Sequence, residues 1–242
     1  MLQVMSGMLQ VGIIGSSGNA MDSPYLSKEA WQITKERLLK LLRTFEGKFG
    51  ETYLKLVSGG SSWADHMAVE LFLENPGRWA GLILFLPSDL EAEQPNNTAR
   101  LLIERHRRFS SVLYGDENKS LEDLRNLGKC KKVTTFVDPG GFKSRNCLIA
   151  GRVDILIALT ARNEITTGTA DTWKKFCASR PNQKYRLTES PRRMQFDRYH
   201  FVFGQVEAAQ AAQVEAAQVE AAQVEASQVE GYLGRGKRPV DQ

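Results

Sequence analysis

Residues Asp138 to Trp173 read DPGGFKSRNCLIAGRVDILIALTARNEITTGTADTW, and the order of signals within them decides the fold. A Pro-Gly-Gly turn comes first, then a short helix opening on Arg145 and Asn146, then an apolar strand at Ile155–Leu159. A polar loop follows, and a second helix starts at Gly168-Thr169. Two helix N-termini flanking one strand bring unbonded backbone N–H groups and positive dipole ends together. Such a place suits an anion, most often a phosphate. The expectation is a nucleotide-type pocket into which Arg145 reaches.

The same alternation runs outward on the N-terminal side. Leu9–Gly15 is a short apolar strand ending in the polar loop Gly15-Ser16-Ser17-Gly18-Asn19. Ser27 to Phe49 carries Trp31, Leu38, Leu42, Phe45 and Phe49 at helical spacing. Leu54–Val57 is a second strand that runs into SGGSSWAD, and Ala64–Glu74 is a helix. Gly81–Leu86 is a third strand, stopped by Pro87. Thr98–Leu113 and Ser120–Lys131 read as helices, Val133–Val137 as a fourth strand, and Lys184–Thr188 as a final one. Apolar strands alternating with helices predict an α/β fold with a doubly wound, mostly parallel sheet. Ligands of such sheets sit at the carboxyl ends of the strands, where Gly15–Asn19, Ser58–Asp65 and Ala161–Thr169 all fall.

The remaining chain is of another kind. From Gln205 to Glu230 the sequence contains only Gln, Val, Glu, Ala and one Ser, as QVEAA-type pentads. A five-residue period turns each Val by about 140° around a helix, so the valines make no coiled-coil seam. Residues 205–242 are therefore expected to be a partly helical or disordered low-complexity tail, after a basic-aromatic connector at 191–204. The formal charge of +4 hides this division, because residues 1–204 hold 29 basic and 22 acidic side chains. That excess favours anionic partners and is too mild to name nucleic acid. Three cysteines without short spacing and three histidines imply neither a disulfide framework nor a metal site. No apolar run approaches a membrane span and no secretory signal opens the chain. A cytoplasmic protein is expected, with no cofactor and with a homo-oligomer left open. Met1–Val4 recurs at Met8–Val11, which suggests a translation start at Met8.

GSSGN after the first strand, VSGGSSWAD after the second, FKSRNCLIAGRVD and TTGTADTW, in this order, resemble the SLOG superfamily of Rossmann-like domains. The resemblance spans roughly Leu9 to Ser179 and places a domain at about residues 8–190. FKSRNCLIAGRVD is similar to the corresponding segment of DNA-processing protein A, and VSGGSSWAD resembles that family's S-G-x-A-x-G-[IV]-D, with Asp65 at the acidic position. A more distant likeness is to the LONELY GUY-type phosphoribohydrolases. The resemblance implies binding of a nucleotide or nucleotide-derived small molecule, as a sensor or processing module. The implied ligand residues are Gly15, Ser16, Ser17, Gly18, Asn19, Ser58, Gly59, Gly60, Ser61, Arg145, Asn146, Gly168 and Thr169. Two alternatives accompany it: cleavage of a nucleoside 5′-monophosphate at the N-glycosidic bond, and binding of single-stranded DNA. For the hydrolase, Arg145 matches the family's arginine and Asp171 falls at its first glutamate, whereas Ile165-Thr166-Thr167 stands where the family has Pro-Gly-Gly.

Several other residues have plainer expectations. Ser61 or Ser62 would cap the helix that follows, and Trp63 is expected in packing rather than against a base. Asp154 reads as a turn-stabilising carboxylate. Arg100, Arg107 and Arg108 spread over more than one face, as on a solvated helix. His106, beside the apolar positions Leu102 and Phe109, reads as a core-edge residue.

Overall fold

The computed structural model describes residues 8–19, 21–49, 54–162, 165 and 167–179, together with the backbone of a strand at 198–202. The chain divides into the units Met1–Gly204 and Gln205–Gln242, and every described residue belongs to the first. The pentad tail, the Lys184–Thr188 segment and Met1 lie outside the described residues.

Six parallel strands form one sheet: β1 (Leu9–Gly15), β2 (Leu54–Ser58), β3 (Gly81–Leu86), β4 (Val133–Val137), β5 (Ile155–Thr160) and β6 (Arg198–Val202). Their order across the sheet is β4-β3-β2-β1-β5-β6. The chain winds outward from β1 to β4 and then returns to the other side of β1, so the winding reverses between β1 and β5. The architecture is Rossmann-like, as expected, and a crevice opens at that reversal. The sixth strand of the sheet is Arg198–Val202, within the stretch expected as a connector. RYHFV supplies the aromatic and β-branched residues that suit a strand.

β1, β2, β3 and β5 are buried along most of their length, which is why they read as apolar runs. Along β5, Ile155, Ile157 and Leu159 enter one core while Leu156 and Ala158 enter the other, the two-residue alternation of a strand. The first core is closed by helices α1 (Lys28–Phe49), α2 (Ala64–Glu74), α3 (Asn97–Tyr114) and α4 (Lys119–Leu127). Trp31, Leu38, Leu42 and Phe45 bury the apolar stripe of α1, each contributing on the order of 1.5–3 kcal/mol. The second, smaller core is closed by α5 (Gly141–Arg152) and α6 (Thr167–Ala178) through Ile149, Ala150, Val153 and Phe176. None of the described helices is long and apolar enough to cross a membrane.

Local chemistry sets the ends of the helices. The Asn96 side chain caps α3 by accepting from the Ala99 amide, and Gly115 ends it in the left-handed conformation at φ 71°. Gly128 closes α4 at Leu127, four residues short of the expected Lys131. α5 departs from expectation at its start: it begins at Gly141, so Arg145 and Asn146 sit in its second turn. The Pro-Gly-Gly turn leads directly into the helix because Asp138 folds it, accepting Gly140 N–H on its carboxylate and Gly141 N–H on its carbonyl.

Candidate functional site

A cavity of about 570 Å³ lies at the winding reversal. The loop after β1 supplies Gly15, Ser16, Ser17 and Asn19 to its wall, and β5 and the loop after it supply Thr160 and Arg162. Gly168, Thr169 and Thr172 come from α6, Phe142, Arg145 and Asn146 from α5, Ser61 and Asp65 from the β2–α2 junction, and Arg105 from α3. Gly15 is required where the loop leaves β1, because a Cβ there would stand 1.7 Å from the Leu159 carbonyl oxygen. Ser16 then stitches the two sides of the crevice together. Its amide donates to Leu159 O at 2.9 Å, and its Oγ accepts from the Ala161 amide at 2.9 Å.

One corner of the cavity is locked. The Arg145 guanidinium, 8% exposed, donates through Nη1 to Gly59 O at 2.6 Å, Ser61 Oγ at 3.0 Å and Asp65 Oδ2 at 3.3 Å. Nε and Nη2 donate to Asn146 Oδ1 at 3.3 and 3.0 Å. Asp65 accepts the Ser61 amide as well. Burial raises the Asp65 carboxyl above its ordinary value against the pull of Arg145, and burial also lowers Arg145. The two charges nonetheless face each other and cancel. A Cβ on Gly59 would lie 2.5 Å from both Arg145 Nη1 and Asp65 Oδ2, so a glycine lets the loop close on the pair.

The opposite corner holds two arginines, Arg105 and Arg162, and the carboxylate of Asp22. Arg105 donates to Ser17 Oγ at 2.9 Å, and no ion pair to it occurs among the described residues. Burial lowers its pKa, helped by the neighbouring Arg108, and a guanidinium remains protonated all the same. Arg162, 3.7 Å from Asp22 Oδ1, is loosely matched. Asp22 itself is held by Asn19, whose Nδ2 donates to Asp22 Oδ2 at 2.9 Å while its Oδ1 accepts the Met21 and Asp22 amides. Three arginines thus face the cavity against the carboxylates of Asp22 and Asp65, and the surplus cation is Arg105.

The cavity wall takes in Gly15, Ser16, Ser17, Asn19, Ser61, Arg145, Asn146, Gly168 and Thr169 of the expected ligand residues. Gly18, Ser58, Gly59 and Gly60 are not part of it. Ser58 is fully buried, donating to Asp65 O and accepting the Gly60 amide. Asp171 is outside the wall as well: its Oδ2 accepts from Lys175 Nζ at 2.6 Å and from Asn146 Nδ2 at 3.1 Å. Lys175 holds its carboxyl below the ordinary value. Neither Ser61 nor Ser62 caps α2, whose N-cap is Trp63. Ser61 Oγ is taken by Arg145 and Ser62 Oγ donates to Ser17 O. Trp63 is buried against Trp31 and Phe109, and Asp154 accepts the Gln10 amide at 2.8 Å. His106 is fully buried, with ring nitrogens 3.0 Å from Ser120 Oγ and from Gly60 O.

Arg105 and Arg162 are the residues that sequence reasoning missed. For Arg105 a signal existed: three residues after Leu102 and four before Phe109, it shares the buried side of α3 rather than the solvated one. Arg162 sits in a loop without periodicity, and no pattern marked it.

No known family profile matches the chain. An uncharacterized protein of Acanthamoeba polyphaga mimivirus is 34% identical over 172 residues, which cover 70% of this chain and 91% of the viral protein. The chain belongs to the family of that protein. Among solved structures, the X-ray structure of DNA processing protein A from Streptococcus pneumoniae aligns at a TM-score of 0.37 and 18% identity. That alignment covers 78% of this chain and 53% of the other, so the chain spans about half the length of that protein.

Proposed function

We propose that the cavity binds a nucleotide or a nucleotide-derived small molecule, as a sensor or processing module of the SLOG type. The observation that carries this reading is Arg105, a half-buried guanidinium in the cavity wall with no ion pair among the described residues. A desolvated cation in such a place favours an anionic ligand, and a guanidinium can hold two phosphate oxygens at once. The hydroxyls of Ser17 and Thr169 and the α6 N-terminus supply neutral donors nearby. A volume of about 570 Å³ suits a small organic molecule, and Phe142 offers it an apolar surface.

Binding is favoured over hydrolysis because the carboxylate that hydrolysis would use, Asp171, is engaged by Lys175 and Asn146 outside the cavity wall. A general base must reach the reacting atom before its pKa matters.

The test is titration calorimetry with a panel of nucleoside mono- and diphosphates, on the parent protein and on Arg105→Ala, with chromatography of each mixture after incubation. Saturable binding that weakens in Arg105→Ala, with no free base released, is the expected result. The proposal fails if no member of the panel binds. Base release abolished by Asp171→Asn would establish the hydrolase instead. Binding only of oligonucleotides, with a steep salt dependence, would establish a single-stranded DNA binder.

A further inference from the structure

At the far end of the sheet from the cavity, β4 is uncovered. Parallel strands are normally buried on both faces, yet Thr134, Thr135, Phe136 and Val137 are all exposed, Phe136 by 44% and Val137 by 48%. Phe136 stacks on Phe85 at a centroid distance of 5.2 Å and leaves its outer face bare. The strand is VTTFV. It contains no charge, no proline and no bulge, the devices that usually keep an edge from pairing.

The ladder to β3 shows which backbone groups are spare. Lys132 O accepts from Leu82 N at one end, and Asp138 N donates to Leu86 O at the other. Parallel pairing alternates inward and outward residues, so Val133, Thr135 and Val137 turn their amides and carbonyls away from the sheet. Val133 N–H is used by Cys130 O. The groups left over are the N–H of Thr135 and Val137 and the C=O of Val133, Thr135 and Val137. Apart from the Val137 C=O, they are arranged symmetrically about Thr135.

We propose that β4 pairs antiparallel with β4 of a second copy of this chain, about a two-fold axis at Thr135, joining two sheets into one. Thr135 N–H then donates to Thr135 O of the second copy, and Val137 N–H to Val133 O, each bond made twice by symmetry. The reversal sets the Lys131-Lys132 end of each strand beside the Asp138 end of the other, so the two lysine ends are kept apart. Phe136 of the two copies become diagonal neighbours on one face, within reach for aromatic side chains. A pairing of this kind uses the edge on both copies and closes, with no open end to grow from.

The experiment is sedimentation velocity of the full chain, of Thr135→Pro and of Val137→Lys, with oxidative crosslinking of Thr135→Cys. Proline at Thr135 removes only an outward N–H and leaves the β3 ladder intact. The parent is expected at twice the mass of one chain, and both variants at one chain mass with unchanged melting temperature. The Cα atoms of paired Thr135 residues would lie about 5.5 Å apart, inside disulfide range. Thr135→Cys should therefore crosslink into a covalent dimer where the parent, with its own three cysteines, does not. A parent of single mass at all concentrations overturns the proposal. So does a dimer that survives Thr135→Pro or Val137→Lys while Thr135→Cys stays uncrosslinked, which would put the interface elsewhere. Should Thr135→Pro melt early, Val137→Lys and the crosslink still decide.

Discussion

Arg145 and Arg105 line the same cavity and are used in opposite ways. Arg145 arrives on α5 inside the most recognisable motif of the chain and spends its donors on Gly59, Ser61, Asp65 and Asn146. Arg105 arrives on α3 from a run that looks like a solvated face, and a serine is the hydrogen-bond partner it has. The difference teaches that a strong motif here marks the corner that holds the crevice in shape. The charge available to a ligand comes from outside that motif.

Breaking the locked corner should have the largest effect. Arg145→Ala leaves Asp65 buried, raised by desolvation and without its cation, and loss of one partner of a buried pair costs about 3–5 kcal/mol. Urea denaturation should show that loss, and Arg145→Met combined with Asp65→Asn should recover part of it. If Arg145→Ala is as stable as the parent, the pair is not what holds the loop.

Arg105→Ala sharpens the contrast from the other side. Its stability should match or exceed that of the parent, because a half-buried cation with no ion pair among the described residues is removed. Affinity for a phosphate-bearing ligand should fall by about 1.5–3 kcal/mol, the range for hydrogen bonds to charged groups, or roughly 10- to 100-fold. Calorimetry separates the two quantities. A variant that lost stability while keeping affinity would reverse the roles assigned to the two arginines.

The locked corner is also buttressed from behind, and this gives it an acid sensitivity. His106 is held neutral down to about pH 3, chiefly by burial and then by His66, while its bond to Gly60 pulls the other way. Between the ordinary value near 6.5 and that folded value, the unfolded chain binds a proton that the folded chain refuses. Stability from this group is therefore complete above pH 6.5 and falls as the pH drops toward 3. The slope approaches about 1.4 kcal/mol per pH unit. Between pH 6.5 and 5 the carboxylates are still largely ionised, so denaturation midpoints there should fall in the parent and flatten in His106→Gln. An unchanged slope in the variant would remove His106 from this role.

How much of this was legible depends on which signal each element carries. β1, β3, β4 and β5 were readable because apolar runs bounded by glycine, proline or polar residues have few other solutions in a chain that alternates with amphipathic helices. The start of α5 was not, because Pro-Gly-Gly reads as a breaker until Asp138 is seen folding it. β6 was not read because a short aromatic strand, beyond the last helix and without an alternating partner, gives no register. At the site, Gly15, Ser16 and Arg145 were legible from glycine punctuation and motif order. The Asp65 pairing could not be read from spacing, because the residues lie 80 positions apart and only the returning sheet order brings them together. Arg105 was overlooked by treating charge on a helix as solvated without asking which side of the apolar stripe it occupied.

Asp171 should give the smallest effect, and it tests whether a motif position can be structurally plain. Its side chain is 37% exposed and pairs with Lys175 one turn on, a surface arrangement worth at most about 1 kcal/mol. Asp171→Asn keeps the oxygen that Asn146 donates to and removes the charge that Lys175 faces. Stability should change by less than about 0.5 kcal/mol, and calorimetric affinity for the ligand should be nearly unaltered, since the carboxylate is not in the cavity wall. A large loss of affinity would mean that Asn146, which bonds both Arg145 and Asp171, relays the Asp171 charge into the locked corner. The two corners would then be coupled through α6, and the contrast between Arg145 and Arg105 would be one of degree.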